Sequence, residues 1–301
     1  MRKPNFFIVG AGKCGTTALY SYLRSHPNIF MPRFKEPLFF ASDLHEGRRF
    51  VPTFTEYLQL FRKAKPHQIA VGEASPGYMF SRVAIPKIRE FNPDAKLIAM
   101  VRNPIEMTQS HHRQALYNLN EDEEDFERAW RLQEVRRSGE RIPSTSRNPV
   151  FLQYAKVASL GEQVKRLFEV FPREKVMLIV FDDFVRSTLS VYKAVLEFLG
   201  VPYDGRTYFP AVNVRKAHGS ISFAKLVMRP PQFLNRIAVW MRKLLRTHQL
   251  GIGTALTKLA RKRVEKKPLS HEFKQELAET FCKDVKLLSR ILDRDLSNWL
   301  A

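Results

Sequence analysis

Near its start the chain passes from an apolar tetrad, Phe6-Phe7-Ile8-Val9, straight into Gly10-Ala11-Gly12-Lys13-Cys14-Gly15-Thr16-Thr17. Four consecutive apolar residues before a glycine-rich turn read as a strand buried on both faces. The hydroxyls that follow read as the opening of a helix. A strand, a glycine turn with one lysine and a helix N-terminus together make a phosphate cradle. The glycines let the backbone bend back and present its N–H groups, and the helix end adds partial positive charge. The same glycines would also serve a bare tight turn. Spacing narrows the chemistry. A Walker A loop has its lysine directly before Ser/Thr, whereas Lys13 lies three residues before Thr16. A phosphate is the expected ligand, but not through an ordinary ATPase or kinase loop.

Apolar β-rich runs alternate with helical patterns through the first two-thirds of the chain. Strands are predicted at 5–10, 68–73, 96–101 and 175–181. Helices are predicted at 15–25, 54–63, 83–91, 104–118, 151–171 and 187–199. This alternation predicts an α/β fold, a P-loop-like parallel sheet flanked by helices, with a helical C-terminal part. Ligands of such sheets sit beyond the carboxyl ends of the strands, and Gly10, Glu73 and Arg102 all fall at such ends. Strand signals stop near residue 205, after which helices are expected, broken at Pro230-Pro231 and Pro268. The expectation is one domain over 1–301: a nucleotide-binding core over 1–205, then a nucleotide-closing loop and a basic helical part over 206–301.

The composition, 44% hydrophobic and 12% aromatic over 301 residues, is that of a chain with a substantial core. Two cysteines, Cys14 and Cys282, make neither a disulfide scaffold nor a zinc site. A net charge of +20 points to anionic partners without choosing among phosphates, acidic glycans, nucleic acid and lipid. The acidic run over 121–127 reads as a solvated face or a helix start, since it lacks the loop glycines and spacing of a metal site.

Further motifs follow the loop in order. Leu23-Arg24-Ser25-His26-Pro27 closes the first helix, Lys35-Glu36-Pro37-Leu38-Phe39-Phe40 follows, and Val71-Gly72-Glu73-Ala74-Ser75-Pro76-Gly77-Tyr78 makes a second block. Leu97 to Pro104 with Ser110 makes a third, and Asp295-Leu296-Ser297-Asn298-Trp299-Leu300 lies near the C-terminus. With these the chain resembles sulfotransferases that use 3′-phosphoadenosine 5′-phosphosulfate, especially the heparan-sulfate and bacterial carbohydrate type. The resemblance implies that Gly12, Lys13, Cys14, Gly15, Thr16 and Thr17 hold the 5′-phosphosulfate. It implies that Arg102 and Ser110 bind the 3′-phosphate, and that a basic loop containing Arg215, with Lys216 beside it, closes over the nucleotide.

Sulfuryl transfer needs positioning and charge stabilisation more than covalent help. Lys13 is the cation expected at the leaving phosphate, in place of a metal. Glu36 is the expected base for the acceptor, a hydroxyl rather than an amine on a carbohydrate or glycolipid-like molecule; partial burial beside Phe39 and Phe40 would make it a stronger base. Glu73 is the second acidic candidate, or a brace for the loop through backbone N–H groups. Heparan-sulfate enzymes place a lysine where this chain has Ala74 and a histidine where it has Leu38, so those two roles are absent or moved. His111 and His112 flank the site.

Residues 225–267 hold twelve Lys/Arg and one acid, Glu265, with apolar residues from Leu234 to Leu245 at helical spacing. Such a basic amphipathic helix suits an anionic membrane or an acidic-acceptor groove. The apolar stretch after Arg2 and Lys3 is already the first strand, so a cytoplasmic protein is expected, with peripheral contact at the inner membrane face. No nucleic-acid motif accompanies the charge. The competing readings are a P-loop nucleotide or sugar kinase and a non-enzymatic binder of anionic surfaces.

Overall fold

The computed structural model describes residues 2–44, 51–212, 217–218, 261–262 and 268–301. Five parallel strands form one sheet: β1 (Phe6–Gly10), β2 (Ile29–Phe30), β3 (Ala70–Ala74), β4 (Lys96–Val101) and β5 (Val176–Val180), in the order β2-β3-β1-β4-β5. The two central strands are buried along almost their whole length, as expected where helices cover both faces. Register carries the chemistry to one end. Ile8 lies beside Ala74 on one flank of β1, and Gly10 lies beside Ala99 on the other. The ends of β1, β3 and β4 therefore open together.

Each strand feeds a helix. The helix α1 (Thr16–Arg24) follows β1, α2 (Phe54–Gln59) and α3 (Ala84–Phe91) flank β3, and α4 (Pro104–Tyr117) follows β4. The N-terminus of α2 is fixed by a capping box in which Thr53 and Glu56 satisfy each other's backbone. Asn103 caps α4 by accepting from the amides of Ile105 and Glu106, with Pro104 at the first position, where its missing N–H costs nothing. Beyond β5 come α9 (Phe181–Arg186) and α10 (Thr188–Leu199), preceded in sequence by α5 (Phe126–Arg131), α6 (Gln133–Arg137), α7 (Tyr154–Ala158) and α8 (Leu160–Val170).

The structure departs from the sequence-based expectation in several places: β2, α6 and α9 were not expected, and further differences follow. The single helix expected over 151–171 is broken. Pro149–Leu152 forms a tight turn, and Ser159 (ψ 72°) separates α7 from α8. The break is held from far away: the carboxylate of Asp284 accepts from the amides of Gly161 and Glu162 at 2.8 and 2.9 Å, capping α8. Strands also do not stop at 205, because Ala217–His218 (β6) pairs antiparallel with Arg261–Lys262 (β7). The acidic run opens a helix as expected and leaves Asp122 and Glu124 exposed, but its first residue is drawn inside. Glu121 is buried and takes two hydrogen bonds of 2.6 Å from Arg136, with Tyr154 as a third donor, while Asp125 caps α5.

The C-terminal helix α11 (His271–Leu292) packs its Phe273 and Phe281 against Trp130 of α5, which ties this helix back into the core. The tail returns to the sheet end. The Trp299 carbonyl accepts from Asn103, and its indole donates to Asp182. The amphipathic stretch 234–246 lies outside the described residues, as does the expected break at Pro230-Pro231. Among the described residues no helix is long and apolar enough to cross a membrane.

Candidate active site

The loop from Gly10 to Gly15 leaves β1 and re-enters as α1 through a left-handed turn at Gly15 (φ 91°). Only glycine takes this conformation without strain, and an added Cβ would also stand 3.1 Å from the Phe181 ring. An added Cβ at Gly12 would meet nothing within 4 Å, so the loop's outer side is open. Among the described residues, the amides of Gly12, Lys13, Gly15, Thr16 and Thr17 donate no hydrogen bond within the chain. Unspent amides at a helix N-terminus are what an oxyanion needs. Thr16 is buried under the loop, Thr17 is half-buried, and Cys14 is turned inward. Its thiol is fully buried against Met107, and burial pushes its pKa up to about 12. Of the loop residues read from the sequence, Cys14 can meet a ligand only through its backbone.

Lys13 lies over the loop, donating to Gln114 Oε1 at 3.2 Å. Burial lowers its pKa, and the charges of Arg113 and Arg102 lower it further. Glu36 opposes them; among the described residues it is the carboxylate whose charge reaches Lys13. The site thus gathers the cations Lys13, Arg102 and Arg113 around the loop, a grouping that attracts an anion.

Arg102, just beyond β4, is held from three sides. It donates to Glu106 at 2.6 Å and to the Lys13 carbonyl at 3.3 Å, and its guanidinium lies 4.3 Å from the Phe181 ring centre. Its Nε is buried without a hydrogen-bond partner among the described residues. An orphaned buried donor of this kind suits a phosphate oxygen. Ser110 follows on α4. Helical spacing puts Glu106, Ser110 and Gln114 on one face, and the outer two touch Arg102 and Lys13. Ser110 lies between them. Glu106, Gln114 and Phe181 were missed from the sequence, although the four-residue spacing onward from Arg102 would have found the first two.

On the other side, Glu36 sits at φ 61° and pairs with Lys35. Its side chain is 49% exposed, so the partial burial expected beside Phe39 and Phe40 is not present. Those rings turn instead into an aromatic cluster with Tyr57. Glu73 is fully buried, and it braces its surroundings through hydroxyls rather than backbone N–H groups. Tyr57, Tyr78 and Ser75 donate to it at 3.0, 2.8 and 2.9 Å. Burial raises its pKa to about 7 against those three hydrogen bonds. His111 and His112 serve structure: their Nε2 atoms meet the carbonyls of Phe151 and Glu123 at 2.9 and 2.8 Å. Burial lowers both, His111 to about 4. Arg215 and Lys216 lie outside the described residues.

A phosphate cradle at the end of a parallel sheet, with a second anion donor at the neighbouring strand, is the layout of a nucleotide-dependent group-transfer enzyme. The sulfotransferase domain family matches residues 3–281, and the chain belongs to that family. It is 30% identical to mouse carbohydrate sulfotransferase 15 over 165 residues, 41% of this chain and 29% of that protein. It is 36% identical to human heparan sulfate glucosamine 3-O-sulfotransferase 6 over 115 residues, 38% of this chain and 31% of the relative. The chain thus spans under a third of the length of these curated relatives. A solved sulfotransferase from Alicyclobacillus acidocaldarius superposes over 100% of both chains with a TM-score of 0.73 at 27% identity.

Proposed function

We propose that the enzyme moves a sulfuryl group from 3′-phosphoadenosine 5′-phosphosulfate to a hydroxyl of a carbohydrate that carries negative charge. The observation that carries this reading is the Lys13 ammonium and the buried Nε of Arg102, unpartnered among the described residues, beside unspent loop amides. The amides of Gly12, Lys13 and Gly15 to Thr17, with the threonine hydroxyls, would take the 5′-phosphate. The free Nε of Arg102, with Ser110, would take the 3′-phosphate that ATP lacks.

Within that arrangement Glu36 accepts the proton of the acceptor hydroxyl as its oxygen bonds to sulfur. Lys13 then meets the negative charge left on the departing phosphate oxygen as the old S–O bond breaks. Exposure keeps Glu36 within reach of an incoming hydroxyl, and its charge already faces Lys13 across the gap. Ala74 and Leu38 carry no titratable group, so this side of the site rests on Glu36.

Two observations support an anionic carbohydrate. The relatives named above are a carbohydrate and a heparan sulfate glucosamine sulfotransferase. A cleft of about 640 Å³ between α1, β2 and α2 is lined by Arg24, Arg33, Arg62 and Lys63. None of these has a carboxylate partner among the described residues. The acid in that cleft, Glu56, is occupied with capping Thr53.

Calorimetric titration with 3′-phosphoadenosine 5′-phosphate, against ATP with and without magnesium, tests the donor. Metal-independent preference for the 3′-phosphorylated nucleotide is expected; preference for ATP with magnesium would sink the reading in favour of a kinase. Sulfuryl transfer to de-O-sulfated heparan sulfate rather than to a neutral glucan tests the acceptor class.

A further inference from the structure

The segment carrying Glu36 is fastened at every second amide. The N–H of Glu36 donates to the Ala74 carbonyl at 3.1 Å, that of Leu38 to Ser75 Oγ at 3.2 Å, and that of Phe40 to the Tyr78 hydroxyl at 3.4 Å. The first anchor is backbone, and its direction is fixed by β3. The other two are hydroxyls, which rotate, and a hydroxyl accepts from an amide only if its own proton points elsewhere. Both of those protons point at Glu73: Ser75 donates to Oε2 at 2.9 Å and Tyr78 to Oε1 at 2.8 Å. Tyr57 of α2 supplies a third hydroxyl at 3.0 Å, completing a buried network.

We propose that Glu73 is a positioning residue for proton transfer: it claims the protons of Ser75 and Tyr78, turns their lone pairs toward Leu38 and Phe40, and so fixes Glu36. The backbone shows why fastening is needed. Glu36 and Leu38 stand at φ 61° and 52°, left-handed conformations that neither residue favours and that persist only when the surroundings impose them. A mobile segment would let the Glu36 carboxylate drift from the acceptor hydroxyl. The inference rests on the reading of Glu36 as the base, and it adds how that base is placed.

The groups facing Glu73 are hydroxyls alone: Tyr57 from α2, Ser75 and Tyr78 from the segment after β3. Among the described residues no charged side chain perturbs it. Both phenols are held protonated by burial and by Glu73 itself. Protonating Glu73 makes it a donor toward one of these hydroxyls, whose own proton is then released from the carboxylate and no longer keeps its lone pair turned to the amide. Burial places that change near neutrality, at about 7.

Two variants test this. Glu73→Gln keeps the shape but puts an NH₂ where an acceptor stood, reversing one hydroxyl. Ser75→Ala deletes one relay and leaves Glu73 with both tyrosines. With 3′-phosphoadenosine 5′-phosphosulfate and de-O-sulfated heparan sulfate, each is expected to lower kcat about ten- to a hundredfold, the scale of a misplaced catalytic group. The KM for the donor and the affinity for 3′-phosphoadenosine 5′-phosphate should stay unchanged. The double variant should fall no further than Glu73→Gln, because both cut one chain. The wild-type kcat should also lose activity below a midpoint near pH 7, a limb absent in Glu73→Gln. Without an acceptor, hydrogen exchange at the Leu38 amide should quicken about tenfold in both variants. Unchanged kcat and exchange in Ser75→Ala, or losses that simply add, overturn the proposal. Glu36→Gln separates the two claims. If it keeps full turnover the base assignment is wrong, while exchange at Leu38 still judges the network.

Discussion

The two halves of the site are built differently. The proposed donor half is made of backbone: a loop with unspent amides, set by the left-handed turn at Gly15 and flanked by cations on α4 and at the end of β4. The proposed acceptor half is made of side chains borrowed from elsewhere, a segment at positive φ hung on hydroxyls that donate to a buried carboxylate. A backbone cradle binds any phosphate of the right size and depends little on distant residues. A side-chain scaffold can change its acceptor by changing a few contacts, but it fails when any anchor is lost.

The largest break in the comparison is expected from Lys13→Ala. Losing a cation aimed at developing charge costs about 10²–10³ in kcat, read as sulfuryl transfer under saturating substrates. A loss below about tenfold would take Lys13 out of the transition state. Next comes Arg102→Ala, expected to weaken 3′-phosphoadenosine 5′-phosphate by about 1.5–3 kcal/mol, roughly ten- to a hundredfold. Adenosine 5′-phosphosulfate, which lacks the 3′-phosphate, should be little affected, and an equal loss for both nucleotides would show a general collapse of the cradle. Gly15→Ala forces a side chain into φ 91° against Phe181. The strain costs about 1–2 kcal/mol, so thermal unfolding should show a fall of a few degrees, and no fall would mean the turn relaxes.

A subtler effect is the pH dependence of stability. Glu73 has its pKa raised in the fold from 4.5 to about 7, so its contribution is fully present below about pH 4.5 and is lost as pH rises toward 7. His111 has its pKa lowered from 6.5 to about 4, so its contribution is present above 6.5 and is lost as pH falls. The difference in Tm between wild type and Glu73→Gln removes the histidine from the comparison. It should decline between about pH 4.5 and 7 and level off above; a flat difference across that window means that Glu73 does not titrate there. The smallest effect is expected from Arg33→Ser or Arg62→Ser. Each exposed charge is worth about 0–1 kcal/mol, a rise of up to about fivefold in KM for an acidic acceptor and none for the donor.

Local signals are what the sequence made legible. Strands over 6–10, 70–74, 96–101 and 176–180 stand within two residues of the expectation, because each is a short apolar run followed by a turn. The loop and Arg102 were visible for the same reason: their neighbours in the chain are also their neighbours in space. What was missed depends on distant partners. Asp284 breaks the 151–171 helix from more than a hundred residues away, and Arg136 draws Glu121 out of an apparently solvated run. The Glu73 network joins residues 38 to 78, and nothing in the local pattern distinguishes its carboxylate from an exposed one.

The inward turn of Cys14 has a practical consequence. A thiol whose pKa is pushed up to about 12 carries almost no thiolate at neutral pH, so alkylating reagents and peroxide find little to attack. Cys282, partly accessible on α11, gives a second thiol for comparison in the same molecule. Alkylation at Cys14 then requires the loop to open first, and its rate counts those openings. A nucleotide that closes the cradle should slow that clock while leaving Cys282 unchanged, which makes donor occupancy measurable by mass spectrometry before any acceptor has been found.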